Sequence, residues 1–159
     1  MRELPSTFKI VTLWLLLGTL VFLGFKWWER EQQRSRFNLN QGVIEIGRGP
    51  DGHYHWAGRV NGTALEFLID TGASSTALPL ELARELGLTL YGQVRTETAG
   101  GVVEGRLARV DLQLQGGVQV QRLQVLVLPK LGDKPLLGMD VLSRLHWSQG
   151  NQTLRFTPG

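Results

Sequence analysis

The feature that most constrains the fold is a strict alternation of apolar and polar residues in the second half of the chain. Residues 108–115 read Ala-Arg-Val-Asp-Leu-Gln-Leu-Gln. A period of two predicts a strand with one face buried and the other in water. Gly116 and Gly117 then predict a tight turn into an apolar run at residues 118–128. The two segments should therefore form a long antiparallel hairpin.

Shorter segments on both sides also predict strands. Residues 43–46 and 153–156 have the composition of short strands near the ends of this region. Segments 53–60 and 64–69 flank Asn61-Gly62, which is the strongest short signal for a two-residue hairpin turn. These segments favour a mainly antiparallel sheet.

Three further signals refine this pattern. The apolar phase of the second long strand slips after Val120, which predicts a β-bulge near Gln121-Arg122. Residues 79–86 predict a short helix with the proline at its first position and Gly87 as its stop. Residues 138–145 predict a second short helix.

The chain divides into three predicted regions: residues 1–28 as a membrane anchor, 29–42 as a juxtamembrane linker, and 43–159 as a β domain. Ile10 to Phe25 is apolar apart from two threonines and two glycines. A helix from Phe8 to Trp28 would be roughly 30 Å long, about the thickness of the hydrocarbon core. The segment should therefore cross a membrane once.

A cleaved signal peptide is the alternative interpretation of the N-terminal segment. Cleavage needs small residues after the apolar run, and bulky Phe25, Trp27 and Trp28 occupy that place. The uncleaved anchor is therefore favoured. The basic residues that follow the segment would place the domain in the cytoplasm by the positive-inside rule, whereas the very short N-terminal tail favours the opposite side.

Composition excludes several classes of function. The chain of 159 residues has no cysteine, so disulfides, thiolate zinc sites and a cysteine nucleophile are excluded. The net charge is +3 and the basic residues are spread along the chain, so nucleic acid is not an expected partner. His53 and His55 share one strand face without an acidic cluster, which favours a polar surface over a metal site.

Asp70 is the strongest candidate for a functional residue. It follows a strand with the large apolar residues Leu65, Phe67, Leu68 and Ile69, and it begins Asp-Thr-Gly-Ala. A carboxylate at the end of a buried strand is unfavourable unless it is hydrogen-bonded or functional. The simpler interpretation is a turn, since Asp and Gly are common turn residues. A second apolar element, Leu136-Leu137-Gly138, about seventy residues further on, favours a site over a turn.

With these flanks the sequence resembles the retropepsin-like aspartic proteases, most of all their bacterial, membrane-anchored branch. The resemblance spans residues 54–156 and includes the run Leu-Leu-Gly-Met-x-x-Leu at residues 136–142. It implies a closed acid-protease β-barrel and an endopeptidase that acts on a protein or peptide without a cofactor. Met139 stands where many viral members have an arginine, and Ser74-Ser75 replace acidic residues that these members often carry.

The resemblance also implies the role of each site residue. Asp70 would be the catalytic aspartate, contributed once by each subunit of a homodimer. Thr71, Gly72, Ala73 and Gly138 would support the site, and Ala99, Gly100 and Gly101 would form a flap over the substrate. The bacterial branch favours the inner membrane with a periplasmic domain over a cytoplasmic one. A non-catalytic module for dimerisation or peptide binding is the alternative function.

Overall fold

The computed structural model describes residues 6–33, 36–39, 42–98 and 101–157. The chain forms two compact units, Met1–Arg34 and Ser35–Gly159. The helices are α1 (Ser6–Gln33), α2 (Leu80–Glu85) and α3 (Met139–Leu142). The strands are β1 (Arg36–Leu39), β2 (Ile44–Gly47), β3 (His55–Val60), β4 (Thr63–Ile69), β5 (Ala77–Pro79), β6 (Tyr91–Thr98), β7 (Gly101–Leu114), β8 (Val118–Leu128), β9 (Leu136–Leu137), β10 (His146–Gly150) and β11 (Thr153–Thr157).

Six strands of the second unit close into a barrel. Around the barrel they follow the order β3, β4, β9, β5, β8 and β7, and β7 pairs again with β3. Two of the pairings, β4 with β9 and β5 with β8, are parallel, and the other four are antiparallel. The predicted fold class, a mainly β closed barrel with one or two short helices, is confirmed.

Further strands lie at the edges of this barrel. β1 pairs with the start of β8, and β6 pairs with β7 to form a long antiparallel arm. A separate three-stranded sheet has the order β10, β11 and β2, so it joins the two ends of the β unit.

The two strongest local predictions from the sequence are confirmed. Val60 lies opposite Thr63, so Asn61-Gly62 is a two-residue turn, with positive φ values of 49° and 88°. Positive φ at both central residues is what a type I′ hairpin turn requires. The bulge also lies where the sequence predicts it: Val110 faces Leu123 and Leu112 faces Val120, so Gln121 and Arg122 together oppose Asp111.

The start of α2 differs from the prediction by one residue. Pro79 has extended backbone, ends β5 and precedes the helix, which begins at Leu80. The reason is tertiary, because residues 77–79 pair with residues 126–128 of β8 and must stay extended to do so. Gly87, with a φ of 62°, follows the helix as predicted. The predicted helix at 138–145 is present but shorter, as α3.

The barrel encloses a core of large apolar side chains. Trp56, Phe67 and Phe156 are almost completely buried, and the rings of Trp56 and Phe156 lie 4.3 Å apart between centroids. The indole Nε1 of Trp56 donates to the carbonyl of Gln115 at 2.9 Å, so its polar atom is satisfied inside the core. This packing holds β3 against the turn between β7 and β8.

Helix α1 contains a candidate membrane span. Ile10–Trp28 is long and apolar enough to cross a membrane, judged by length and composition. Every residue of this span is exposed. The hydroxyl of Thr19 donates to the carbonyl of Leu15 at 2.8 Å, which satisfies that polar group without water. The helix continues to Gln33, into the segment predicted as a linker.

The barrel closes tightly between β3 and β7 at Gly58, and a substitution there tests this closure. A Cβ at Gly58 would lie 2.6 Å from the carbonyl oxygen of Gln113 and 2.9 Å from Leu114, whereas one at Gly150 would meet nothing within 4 Å. Gly58→Ala should therefore lower the free energy of unfolding by about 1–3 kcal/mol through overpacking. Urea denaturation followed by circular dichroism measures it, with Gly150→Ala as the matched control. Equal stability of the two variants would contradict this closure.

Candidate active site

Asp70 lies immediately after β4, where β9 runs alongside it. Its backbone N–H donates to the carbonyl of Leu137 at 3.0 Å, and Leu68 and Ile69 lie in parallel register with Leu136 and Leu137. The side chain is half-buried. Two apolar strands therefore bring Asp70 to the end of the barrel, and the strand pairing fixes its backbone.

A tight turn orients the carboxylate of Asp70. The N–H of Gly72 donates to Oδ1 at 2.8 Å, and the N–H of Ala73 donates to the carbonyl of Asp70 at 3.3 Å. A Cβ on Gly72 would lie 3.2 Å from the same Oδ1 and would press on the carboxylate. Thr71 is exposed at the tip of the turn. Glycine at position 72 thus lets the backbone itself hold the acid in place.

Gly138 marks the point where two backbone segments cross. A Cβ on this buried residue would lie 2.5–2.8 Å from backbone atoms of Ser75 and Thr76, so any side chain would clash. Beside the crossing, the N–H of Met139 donates to the carbonyl of Ala73 at 2.8 Å. The segment that follows Asp70 is therefore fastened directly to the start of α3.

A side-chain network reinforces this crossing, and the sequence did not predict it. Asp140 accepts hydrogen bonds from the backbone N–H of Thr76 at 2.9 Å and from its hydroxyl at 2.8 Å. The same hydroxyl accepts from the N–H of Gly138 at 3.2 Å. Among the residues that the structure describes, Thr76 is the one buried polar residue, at 1% exposure. Asp140 thus acts through a partner 64 residues away, which sequence spacing alone could not reveal.

A cavity of about 680 Å³ opens beside Asp70. Its wall is largely apolar, and Glu97 and Lys130 add one charge of each sign. The lining residues are Asp70, Gly72, Ala73, Ser74, Ser75, Ala77, Thr96, Glu97, Val103, Leu126, Leu128, Lys130, Leu131 and Leu136. The sequence identified the floor of this cavity but not its walls, because the wall residues come from five separate strands and a loop.

The predicted flap falls partly outside the described residues. Ala99 and Gly100 are not among them, while Gly101 begins β7 opposite Thr98 with a φ of 104°. The two arms that lead to this hairpin, β6 and β7, contribute Thr96, Glu97 and Val103 to the cavity wall. The arm therefore borders the cavity that contains Asp70.

Two carboxylates, of Asp51 and Glu66, lie beside the ring of His55. His55 Nε2 lies 2.7 Å from Asp51 Oδ2, and His55 Nδ1 lies 3.6 Å from Glu66 Oε2. A backbone hydrogen bond from His53, followed by the side-chain contact of His55, lowers the pKa of Asp51. A hydrogen bond from Lys134 lowers the pKa of Glu66. Within the described residues no group of three or more His, Asp or Glu side chains is placed to hold a metal ion.

Solved structures share this barrel. A crystal structure of a retropepsin-like aspartic protease from Rickettsia conorii matches with a TM-score of 0.56 and 26% identity, over 77% of this chain and 92% of that chain. EIAV protease, in complex with the inhibitor HBY-793, matches with a TM-score of 0.50 and 22% identity, over 60% of this chain and 90% of that chain. The second likeness is one of fold.

The barrel and its Asp-Thr-Gly turn define a protein of the aspartic protease class. The family described as gag-polyprotein putative aspartyl protease matches residues 56–144, more than half of the chain. The chain therefore belongs to the retropepsin-like aspartic protease family, as its sequence motifs indicated. Uncharacterized protein RP867 of Rickettsia prowazekii (strain Madrid E) is 34% identical over 113 residues, which are 69% of this chain and 48% of that protein. The chain thus spans about half the length of this relative.

The hydroxyl of Thr76 provides a test of the crossing at Gly138. Thr76→Val preserves shape but removes partners from Asp140 and from the N–H of Gly138, so unfolding should become easier by about 1–3 kcal/mol. Thr76→Ser keeps the hydroxyl and should lose less than about 1 kcal/mol, the value of the missing methyl group. Urea denaturation compares the two, and hydrogen exchange should be faster at the Asp70 amide in the valine variant alone. Identical behaviour of both variants would show that the hydroxyl is unimportant.

Proposed function

We propose that this chain is an aspartic endopeptidase that hydrolyses peptide bonds with two Asp70 carboxyl groups, one from each subunit of a homodimer. The observation that carries the proposal is the placement of Asp70: half-buried, oriented by the Gly72 amide, and on the floor of a large, mainly apolar cavity. A carboxylate held in this way is suited to chemistry, because a surface turn would leave it in water.

The chemistry needs two carboxyl groups in different protonation states. One acts as a base that activates a water molecule, and the other donates a hydrogen bond that polarises the scissile carbonyl. Two carboxyl groups about 3 Å apart share one proton, because both cannot ionise together. The chain carries one Asp-Thr-Gly sequence. A two-fold axis beside Asp70 supplies the second group from an identical subunit.

The residues around Asp70 have supporting roles in this proposal. The exposed hydroxyl of Thr71 would bond to the backbone of the other subunit, since it lies at the tip of the turn. Gly72 and Ala73 would line the floor beneath an extended peptide, and Gly138 keeps the crossing backbone close to them. Ala99, Gly100 and Gly101 would close over the substrate from the arm of β6 and β7.

The apolar helix α1 supports a membrane location for the proposed enzyme. Its exposed span, Ile10–Trp28, would cross the bacterial inner membrane once and keep the barrel beside it, in the periplasm. Substrates would then be proteins or peptides that reach the membrane surface. A reporter fused after Gly159 distinguishes the periplasmic orientation from the cytoplasmic one.

Replacing the proposed catalytic group tests the activity. Asp70→Asn removes the only proposed base and acid, so cleavage of a mixed peptide library should fall by roughly 10²–10⁴ or more while the barrel stays folded. Asp133→Asn, the same substitution at an exposed position outside the cavity, is the control and should retain full activity. Mass spectrometry of the peptides measures both variants.

Two results of this assay would contradict the proposal. Residual cleavage by purified, folded Asp70→Asn would remove the assignment of Asp70. No cleavage by the unsubstituted protein at any pH between acid and neutral would favour a peptide-binding or dimerisation module instead, in which the cavity holds a peptide without hydrolysing it.

The homodimer predicts that activity depends on concentration. A chain shortened to the compact unit Ser35–Gly159 should lose specific activity on dilution, because dissociation separates the two Asp70 groups. Anchoring the full chain in vesicles raises the effective concentration of subunits, so its activity should fall less on the same dilution. Peptide cleavage rates across a dilution series measure the difference. Concentration-independent activity of the shortened chain would argue against a dissociable dimer.

A further inference from the structure

Arg109 lies on β7, outside the Asp70 cavity, and makes no ion pair with a carboxylate among the described residues. Its Nε is buried without a hydrogen-bond partner among the described residues. The guanidinium carbon lies 5.4 Å from the centroid of the Tyr91 ring, so the aromatic face supports the group without accepting its N–H bonds. A buried donor without an acceptor is rare in folded proteins, so the surroundings of this group call for an explanation.

The space next to Arg109 forms a second pocket, which we call the Arg109 pocket. It has a volume of about 370 Å³ and is lined by Asn61, Gly87, Leu88, Thr89, Tyr91 and Arg109. This described lining contains no Asp or Glu. The pocket therefore combines a cation with neutral polar groups and offers no carboxylate as a partner for the cation.

Two neutral polar groups in the lining of this pocket, on Asn61 and Thr89, can donate hydrogen bonds. Asn61 Oδ1 already accepts from the N–H of Asp111 at 2.9 Å, which leaves the NH₂ of Asn61 as its donor end. The hydroxyl of Tyr91 is committed to Gln124 at 3.2 Å, which fixes the ring against Arg109. Thr89 adds a hydroxyl to the lining. Hydrogen-bond donors of Asn61, Thr89 and Arg109 thus border one small pocket.

His55 differs from Arg109 because a polar side chain lies close to its unpaired atom. The Nδ1 of His55 is the other buried side-chain atom without a hydrogen bond among the described residues. An oxygen of Glu66 lies only 3.6 Å from it, so a polar partner within the protein is already close to this atom. No ion pair joins Arg109 to a carboxylate within the described part of the chain, so its guanidinium N–H groups are available to an acceptor from outside.

We propose that the Arg109 pocket binds a small oxyanion of the carboxylate or phosphate type. The planar guanidinium offers two parallel N–H groups to such an anion, and charge-assisted hydrogen bonds of this kind are short and strong. The NH₂ of Asn61 and the hydroxyl of Thr89 complete the donor set. This pocket shares no lining residue with the Asp70 cavity, so binding does not depend on the proposed protease activity.

Calorimetric titration of the full chain in detergent, first with inorganic phosphate and then with acetate, tests this proposal. Saturable binding of one anion per chain is expected, and Arg109→Gln should weaken it at least tenfold. Arg59→Gln removes one exposed positive charge from β3 and should change the affinity less than twofold. Arg109→Lys keeps the charge but loses the paired N–H groups, and it should bind weakly too.

The same titration distinguishes the two ligand types and separates anion binding from protease activity. Tighter binding of acetate than of phosphate identifies a carboxylate as the ligand type, and the reverse identifies a phosphate. Asp70→Asn should bind the anion as well as the unsubstituted protein, so loss of protease activity and loss of anion binding are independent results. The absence of saturable binding, or equal weakening by Arg59→Gln and Arg109→Gln, would overturn the proposal and leave Arg109 with a buried water.

Discussion

The site depends on one backbone crossing, where the segment after Asp70 passes over Gly138. The two backbone segments approach so closely that a Cβ on Gly138 would not fit between them. Side-chain hydrogen bonds of Thr76 and Asp140 join the same two segments. These contacts are buried or partly buried, so they are worth more than the same bonds in water. Any larger residue at position 138 would push the two segments apart and release the turn that orients Asp70.

The crossing also explains how a small barrel can carry a precise site. The short strand β9 fits between β4 and β5, and it pairs with both. Asp70 follows β4, which pairs with β3 on one side and with β9 on the other. The Gly72 amide orients its carboxylate. The same contacts that close the barrel thus position the acid, so stability and the geometry of the site are coupled.

Local patterns predicted the elements that local chemistry determines. The turn at Asn61-Gly62, the bulge at Gln121-Arg122 and the long hairpin depend on turn residues and on alternation, which are visible in sequence. The strands β5 and β9 have only three and two residues, and they are extended because distant strands pair with them. The hydrogen bonds between Thr76 and Asp140 and the pocket beside Arg109 likewise involve residues far apart in the chain, so no local pattern predicts them.

The central claim is that two copies of Asp70 form one site, and the stoichiometry of a transition-state mimic tests it most directly. Calorimetry with pepstatin counts bound molecules per chain. A shared dyad predicts one molecule per two chains, because the mimic lies across the two-fold axis. It also predicts that Asp70→Asn weakens this binding sharply. One molecule per chain, or binding that the substitution leaves unchanged, would contradict the shared site.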